Sequence, residues 1–301
     1  MNEMFATAVE LNGKALSDSI MSDVTSRVEA VVAKLGIVPK LATILVGEDP
    51  ASATYVKMKG NACKRVGMES VAIKLSPLIE NQELFDIIQQ LNNRNDIFGI
   101  LLQHPIPSSL DERRAFDLIS IDKDVDGVTA HGFGNMAMQS EAFGSATPLG
   151  IMKLLKHYEI PIEGKHAVVI GRSSILGKPM SLMLLNANAT VTTCHSRTVN
   201  LPELVSQADI VVAAVGRPEF VKSDWIKPGT VVVDAGYHKV DVGNEVLQVG
   251  DVETRGLEGK ASALTPVPGG VGPMTIATLI LQTLESAERK ANISGTISPS
   301  H

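Results

Sequence analysis

The sequence predicts an α/β fold divided into two domains, each built on a parallel sheet. Three observations carry this. Short apolar runs alternate with stretches of helical periodicity, which is the pattern of strand–helix–strand units. The alternation is interrupted near residues 145–150 and then resumes. The 301 residues also exceed the roughly 150 usual for one domain.

From the N-terminus, Lys14 to Leu35 carries Ile20, Val24, Val28, Val31, Val32 and Leu35 at helical spacing, and Gly36 stops it. Leu41–Val46 is an apolar run of strand length. Ala53 to Val66 reads as a helix ended by Gly67, Val71–Leu75 as a second strand and Gln82–Asn92 as a helix. Phe98–Leu102 is a third strand, halted by Pro105 and Pro107. The second half opens with a helix at Leu149–Tyr158. Strands follow at His166–Ile170, Thr190–Thr193, Ile210–Ala214 and Thr230–Asp234. Pro273–Lys290 is a helix expected to pack back on the first domain. The division read here is 1–147, completed by the helix 273–290, then 148–272, with 292–301 a disordered tail.

Composition removes several classes of function. Apolar residues make up 44% and charged residues 20%, a globular balance. No apolar run approaches the roughly 18 residues of a membrane span. A net charge of −6 lacks the basic excess that neutralises nucleic-acid phosphates. The two cysteines, Cys63 and Cys194, form neither a disulfide framework nor a Cys-x-x-Cys metal pair, and no metal site is expected. Reduced thiols, and an N-terminus without a basic-then-apolar leader, suit a cytoplasmic protein.

Ala167 to Met180 runs an apolar strand into Gly171, then Arg172 and Ser173, then Gly177-Lys-Pro179 at a helix start. Helix N-termini present free N–H groups and a positive dipole end, which attract phosphate. The spacing Gly171 to Gly177 is not G-x-G-x-x-G, so an ordinary strand–turn–helix connection stays open on this motif alone. The next strand ends at Cys194-His-Ser-Arg197, where such folds read the adenosine ribose. An Asp or Glu there meets a free 2′-hydroxyl, and none is present. Arg172, Ser196 and Arg197 instead offer donors and positive charge to a 2′-phosphate, which favours NADP over NAD. The second half is therefore expected to be a Rossmann-like NADP-binding domain.

In the first half, Tyr55 and Lys59 stand four apart on one helical face. A desolvated lysine there can exchange a proton near neutrality, whereas Lys57 and Lys64 read as solvated. Gln103 lies just past the carboxyl end of a strand, where open α/β sheets form ligand crevices. Asp122-Lys-Asp-Val-Asp-Gly127 imitates a calcium loop, but Phe133 stands where that loop needs a bidentate Glu. Asp126 then reads as a turn residue or as a buried acceptor for a ligand. Thr265 to Thr275 has three glycines and three prolines before a helix, a rigid loop that lets a ligand approach the backbone.

Six segments, in order across residues 46–275, resemble the bifunctional methylenetetrahydrofolate dehydrogenase/methenyltetrahydrofolate cyclohydrolase family. They are Val46–Ser52 with Tyr55 and Lys59, Gly99–Pro107, Lys123–Gly127, Gly171–Pro179, Cys194–Ser196 and Thr265–Thr275. The resemblance implies two steps in one cleft: NADP-dependent oxidation of 5,10-methylenetetrahydrofolate to the methenyl cation, then hydrolysis to 10-formyltetrahydrofolate, a one-carbon donor of purine biosynthesis. It implies catalytic roles for Lys59, Gln103 and Asp126, with Lys59 the acid/base group, Gln103 positioning it and Asp126 bonding the pterin. It implies folate contacts from Tyr55, Leu102, His104 and the segment Pro268, Gly269, Gly270, Val271 and Gly272. It assigns Gly171, Arg172, Ser173, Ser196, Arg197 and Tyr237 to the cofactor, and a homodimeric assembly. The chain departs from the family at His104, where leucine is usual, at Val128–Gly134, at Ser145–Pro148, and at Tyr237-His238 in place of Ile-Asn. Two rivals remain. A short-chain-type NADP-dependent dehydrogenase would carry its glycine-rich turn before the Tyr-x-x-x-Lys pair, the reverse of the order here. A non-catalytic folate- or nucleotide-binding regulatory protein would have no need of Lys59, Gln103 and Asp126.

Overall fold

The computed structural model describes residues 8–243 and 245–293. In chain order the elements are β1 (Val9–Glu10), α1 (Gly13–Leu35), β2 (Lys40–Val46), α2 (Pro50–Arg65), β3 (Glu69–Leu75), α3 (Asn81–Asn93), β4 (Ile97–Leu102), α4 (Glu112–Asp117), α5 (Ala130–Ala137) and α6 (Ala146–His157). Then come β5 (His166–Ile170), α7 (Gly177–Asn186), β6 (Thr190–Cys194), α8 (Leu201–Ser206), β7 (Ile210–Ala213), β8 (Val231–Asp234), β9 (His238–Val242), β10 (Glu245–Val249), β11 (Ala263–Leu264) and α9 (Val271–Ala291). The chain divides into two compact units. One holds residues 18–146 and 276–293, the other residues 8–17 and 147–275.

The first of these units carries a parallel three-stranded sheet in the order β3-β2-β4. Its central strand is buried from Leu41 to Val46, as a strand covered on both faces must be. The core joins Met21, Val24, Val28 and Val31 of α1 to Ala277, Ile280, Leu284 and Ala287 of α9. Each large side chain buried this way is worth about 1.5–3 kcal/mol relative to exposure. Arg27 adds a two-pronged bond from α1 to α9, its Nε and Nη2 donating to Glu288 at 2.9 and 2.7 Å. The C-terminal helix thus packs on the N-terminal one, as expected. α9 ends in a left-handed residue, Asn292 (φ 50°). The Ile293 N–H reaches back to the Glu288 carbonyl and the Asn292 N–H to that of Arg289, which satisfies the last carbonyls. Of the tail expected at 292–301, Asn292 and Ile293 are therefore ordered, with Ile293 against the core; the remainder lies outside the described residues.

The other unit carries a parallel six-stranded sheet in the order β1-β11-β8-β7-β5-β6. The chain runs from β5 outward to β6, then returns to the far side of β5 to continue through β7 and β8. That reversal puts a ligand crevice at the carboxyl ends of β5 and β7. β1 pairs with β11 here, so residues 9–10 join this sheet and not the first-half domain to which the sequence reading gave them. A two-residue strand has no periodicity to read. The β9–β10 hairpin also went unread, because its exposed faces carry no apolar run. The short helices α4, α5 and α8 went unread for a similar reason. α4 and α5 are nonetheless capped: Asp111 accepts from the Arg114 N–H and Thr129 from the Gly132 N–H. Both cysteines are free and buried, and burial pushes the Cys63 thiol up to about 12.

Candidate active site

Helix α2 opens with Pro50, and the Asp49 carboxylate accepts from the Ser52 N–H at 2.6 Å. This start fixes the helical phase that puts Tyr55 and Lys59 on one face. Tyr55 keeps substantial exposure, while Lys59 is only 7% exposed. Lys57 and Lys64 are solvated, as read from the sequence. Burial lowers the Lys59 pKa, and the charge of Asp126 only partly opposes this.

Gln103 follows β4, its N–H continuing the sheet ladder to the Ile44 carbonyl at 2.8 Å. Its side-chain Nε2 donates to the His104 carbonyl at 2.9 Å, which turns the amide oxygen the other way. That oxygen accepts from the Lys59 ammonium at 2.9 Å. Leu102 is buried in the core, whereas His104 is exposed and its Nδ1 lies 2.6 Å from Glu112 Oε1.

The run Lys123–Gly127 divides its labour. Lys123 donates to the carbonyls of Leu91, Asn92 and Arg94 and so closes the end of α3. Asp124, 1% exposed, accepts from the Val128 and Thr129 N–H groups, both at 2.9 Å, and sets the turn into α5. Asp124 is therefore the turn-forming carboxylate. The Asp126 carboxyl, among the described residues, has no hydrogen-bond partner. Desolvation raises it to about 6, against the pull of Lys59 and His104. From α9, the Gln282 amide donates to the Val125 and Gly144 carbonyls at 2.7 and 2.9 Å and accepts from the Gly144 N–H at 3.0 Å. It clamps the segment on either side of Asp126.

In the other unit, β5 is followed at once by Gly171 (φ 135°). A Cβ there would run into the Ala214 carbonyl oxygen, and one on Gly177 would run into the Gly171 carbonyl. The unusual spacing thus does the work of the common fingerprint: the first glycine makes the turn and the second seats α7 on it. The Ser173 hydroxyl accepts from the Leu176 and Gly177 N–H groups at 3.2 and 3.3 Å, at the start of α7. Arg172, Ser196 and Arg197 are exposed after β5 and β6, and neither guanidinium makes an ion pair among the described residues. No acidic side chain follows β6 before Asn200. These groups fit a phosphorylated dinucleotide: two exposed guanidinium groups, unpaired among the described residues, stand where a ribose 2′-phosphate needs them. Tyr237 is exposed and its hydroxyl donates to Gln248 at 3.2 Å. The segment Pro268–Gly272 belongs to this unit. Gly269 accepts from the Lys14 N–H, Gly270 donates to Pro266, and Val271 and Gly272 start α9.

Two family descriptions match the chain: the tetrahydrofolate dehydrogenase/cyclohydrolase catalytic domain over residues 11–126, and the NAD(P)-binding domain of the same family over residues 145–291. The chain belongs to the tetrahydrofolate dehydrogenase/cyclohydrolase family. Among curated relatives, the bifunctional protein FolD of Acidobacterium capsulatum is 60% identical over 95% of this chain and 100% of its own length. Among solved structures, the bifunctional dehydrogenase/cyclohydrolase FolD of Campylobacter jejuni is 43% identical with a TM-score of 0.90, covering 94% of this chain and 99% of its own. The Trypanosoma brucei methylenetetrahydrofolate dehydrogenase-cyclohydrolase, solved with NADP cofactor and an inhibitor, is 32% identical with a TM-score of 0.90, covering 95% and 99%.

Within this tetrahydrofolate dehydrogenase/cyclohydrolase the structure brings together Lys59, Gln103 and the Asp126 charge in one unit, and Gly171, Arg172 and Ser173 in the other. Sequence reasoning missed Gln282, which clamps the Asp126 segment, and Asp251, whose carboxylate accepts from the Val215, Gly216 and Arg217 N–H groups after β7. Each looks like an ordinary polar residue along the chain, and only the fold brings its distant backbone partners into reach.

Proposed function

We propose that Lys59, Gln103 and Asp126 carry the folate chemistry of this chain and that Arg172, with Ser196 and Arg197, selects its cofactor. The activity is that of the family: NADP-dependent oxidation of 5,10-methylenetetrahydrofolate to 5,10-methenyltetrahydrofolate, then hydrolysis to 10-formyltetrahydrofolate. The buried Lys59 ammonium, bonded to an amide oxygen and not to a carboxylate, is the observation that carries this reading. A lysine so placed loses its proton more readily, and its neutral amine does not repel the methenyl cation. In the hydrolytic step that amine takes a proton from the attacking water as the new C–O bond forms. It then returns the proton to the departing ring nitrogen as the C–N bond breaks, while the hydroxyl proton leaves to solvent as the formyl C=O forms, so that one proton is released overall. Gln103 holds the amine in line. Asp126, with no protein donor on its carboxyl, accepts from the adjacent amino and ring N–H groups of the pterin. The loop Gly171–Ser173, Ser196, Arg197 and Tyr237 would hold NADP, which when bound supplies the hydride acceptor of the oxidation. We assign Pro268–Gly272, Tyr55, Leu102 and His104 to folate contacts on the resemblance.

The chain is further read as a cytoplasmic homodimer whose product serves purine biosynthesis. Among the described residues no helix is long and apolar enough to cross a membrane. The family's order of motifs leaves the short-chain dehydrogenase without support. Absorbance assays of methenyltetrahydrofolate formation with NADP+ and with NAD+, and of its hydrolysis, test the reading. Formation driven by NADP+ and enzymatic hydrolysis are expected; absence of either from folded protein contradicts it.

A further inference from the structure

The loop after β7 borders the crevice at the point where the strand order reverses, hard against the Gly171 turn. Its three successive N–H groups converge on one carboxylate. Val215 and Gly216 donate to Asp251 Oδ2 at 2.6 and 3.0 Å, and Arg217 donates to Oδ1 at 3.0 Å. Such a run of N–H groups is a ready anion site, and here the protein's own side chain fills it. Asp251 is 1% exposed. Its fourth partner, and its one side-chain donor among the described residues, is His238, with Nε2 at 2.8 Å from Oδ1.

Asp251 is itself tied down. Its N–H donates to Asp234 Oδ1 at 2.9 Å, that of Gly236 to the same oxygen at 2.8 Å, and that of Val252 to Oδ2 at 2.8 Å. Two buried carboxylates therefore join the ends of β7 and β8 to the start of β9. A dinucleotide lies across such a crevice with one nucleotide half beyond each side of the reversal. The Gly171 turn and β6 serve the adenosine half, which leaves the β7–β8 side for the nicotinamide.

We propose that His238 is a positioning residue for the dehydrogenase step: through Asp251 it fixes the loop Val215–Arg217 in the form that receives the nicotinamide half of NADP. The inference rests on the cofactor crevice assigned above. It deepens that assignment by giving a role to a residue outside the cofactor and folate contacts assigned above.

Loss of a donor to a buried carboxylate is a large perturbation, so His238→Leu should raise the KM for NADP+ about tenfold. Cyclohydrolase turnover, measured without cofactor on the same full-length preparation, should stay within about twofold. His238→Asn restores an N–H donor and should recover most of the loss. Should the leucine variant not fold, His238→Ala takes its place with the same expectations. An unchanged KM for NADP+ overturns the proposal. So does an equal fall of both activities with a lower melting temperature, which marks a merely structural residue, or an asparagine variant as impaired as leucine. Arg172→Ala, assayed alongside, reports on the crevice itself, so a failure of that assignment shows separately.

Discussion

The Lys59 ammonium donates to the Gln103 side-chain oxygen at 2.9 Å and makes no ion pair with Asp126, whose charge reaches it only from a distance. A neutral partner leaves the lysine free to lose its proton. Gln103→Glu would put a carboxylate at hydrogen-bond distance and hold the ammonium charged. Since the neutral amine is the working form, the rising limb of the cyclohydrolase pH–rate profile should move up by about one pH unit or more. Profiles of parent and variant check this; coincident profiles would mean that Gln103 does not govern the lysine.

Asp126 couples recognition to stability. Its carboxyl ionises near 6 in the folded chain and near about 3.9 in an unfolded one. The folded state thus binds the proton more tightly between those values. Stability falls as pH rises from about 4 to 6, and the deficit persists at neutral pH. Asp126→Asn should therefore melt higher than the parent at pH 7.5, by the equivalent of about 1–2 kcal/mol, with the gain gone below about pH 4. A turn-capping role would predict the opposite sign, but that role falls to Asp124.

The same variant should bind a folate analogue at least about tenfold more weakly, with NADP+ affinity unchanged. In the parent, analogue affinity should drop as pH falls through about 6, because the ionised carboxylate is the acceptor. In Asp126→Asn that dependence should be absent. Titration calorimetry at pH 7.5 and 5.5 reads both effects.

Arg172→Ala should raise the KM for NADP+ far more than that for NAD+, since only the former carries the 2′-phosphate. Steady-state kinetics with the two cofactors check this, and equal effects would remove Arg172 from phosphate recognition.

Away from both sites, Arg27→Ala strands the nearly buried Glu288 carboxylate and should cost about 1–3 kcal/mol of stability. Denaturant melts should show this while the folded fraction keeps both activities.

Periodic residues explain most of what was legible in the sequence. The apolar runs of β2, β4, β5, β7 and β8 and the spaced apolar faces of α1, α3 and α9 dictate their elements within a few residues. Tyr55 and Lys59 could be set on one face because four residues make about one helical turn. What stayed hidden depends on long-range packing. Nothing along the chain tells which of Asp122, Asp124 and Asp126 turns inward to the backbone and which stays open. Gln282 reads as one polar residue in an amphipathic helix until the fold carries the Val125 and Gly144 carbonyls to it. Asp251 stands 34 to 36 positions from the N–H groups it gathers, beyond any local pattern.

The most direct measurement is the rate of methenyltetrahydrofolate hydrolysis by purified Lys59→Ala, with its melting temperature taken on the same sample. A buried acid–base group predicts hydrolysis slower by about 10²–10⁴-fold in protein at least as stable as the parent, since a desolvated ammonium has been removed. Hydrolysis at the parental rate by the folded variant would contradict the assignment and leave Lys59 a buried lysine with no part in the chemistry.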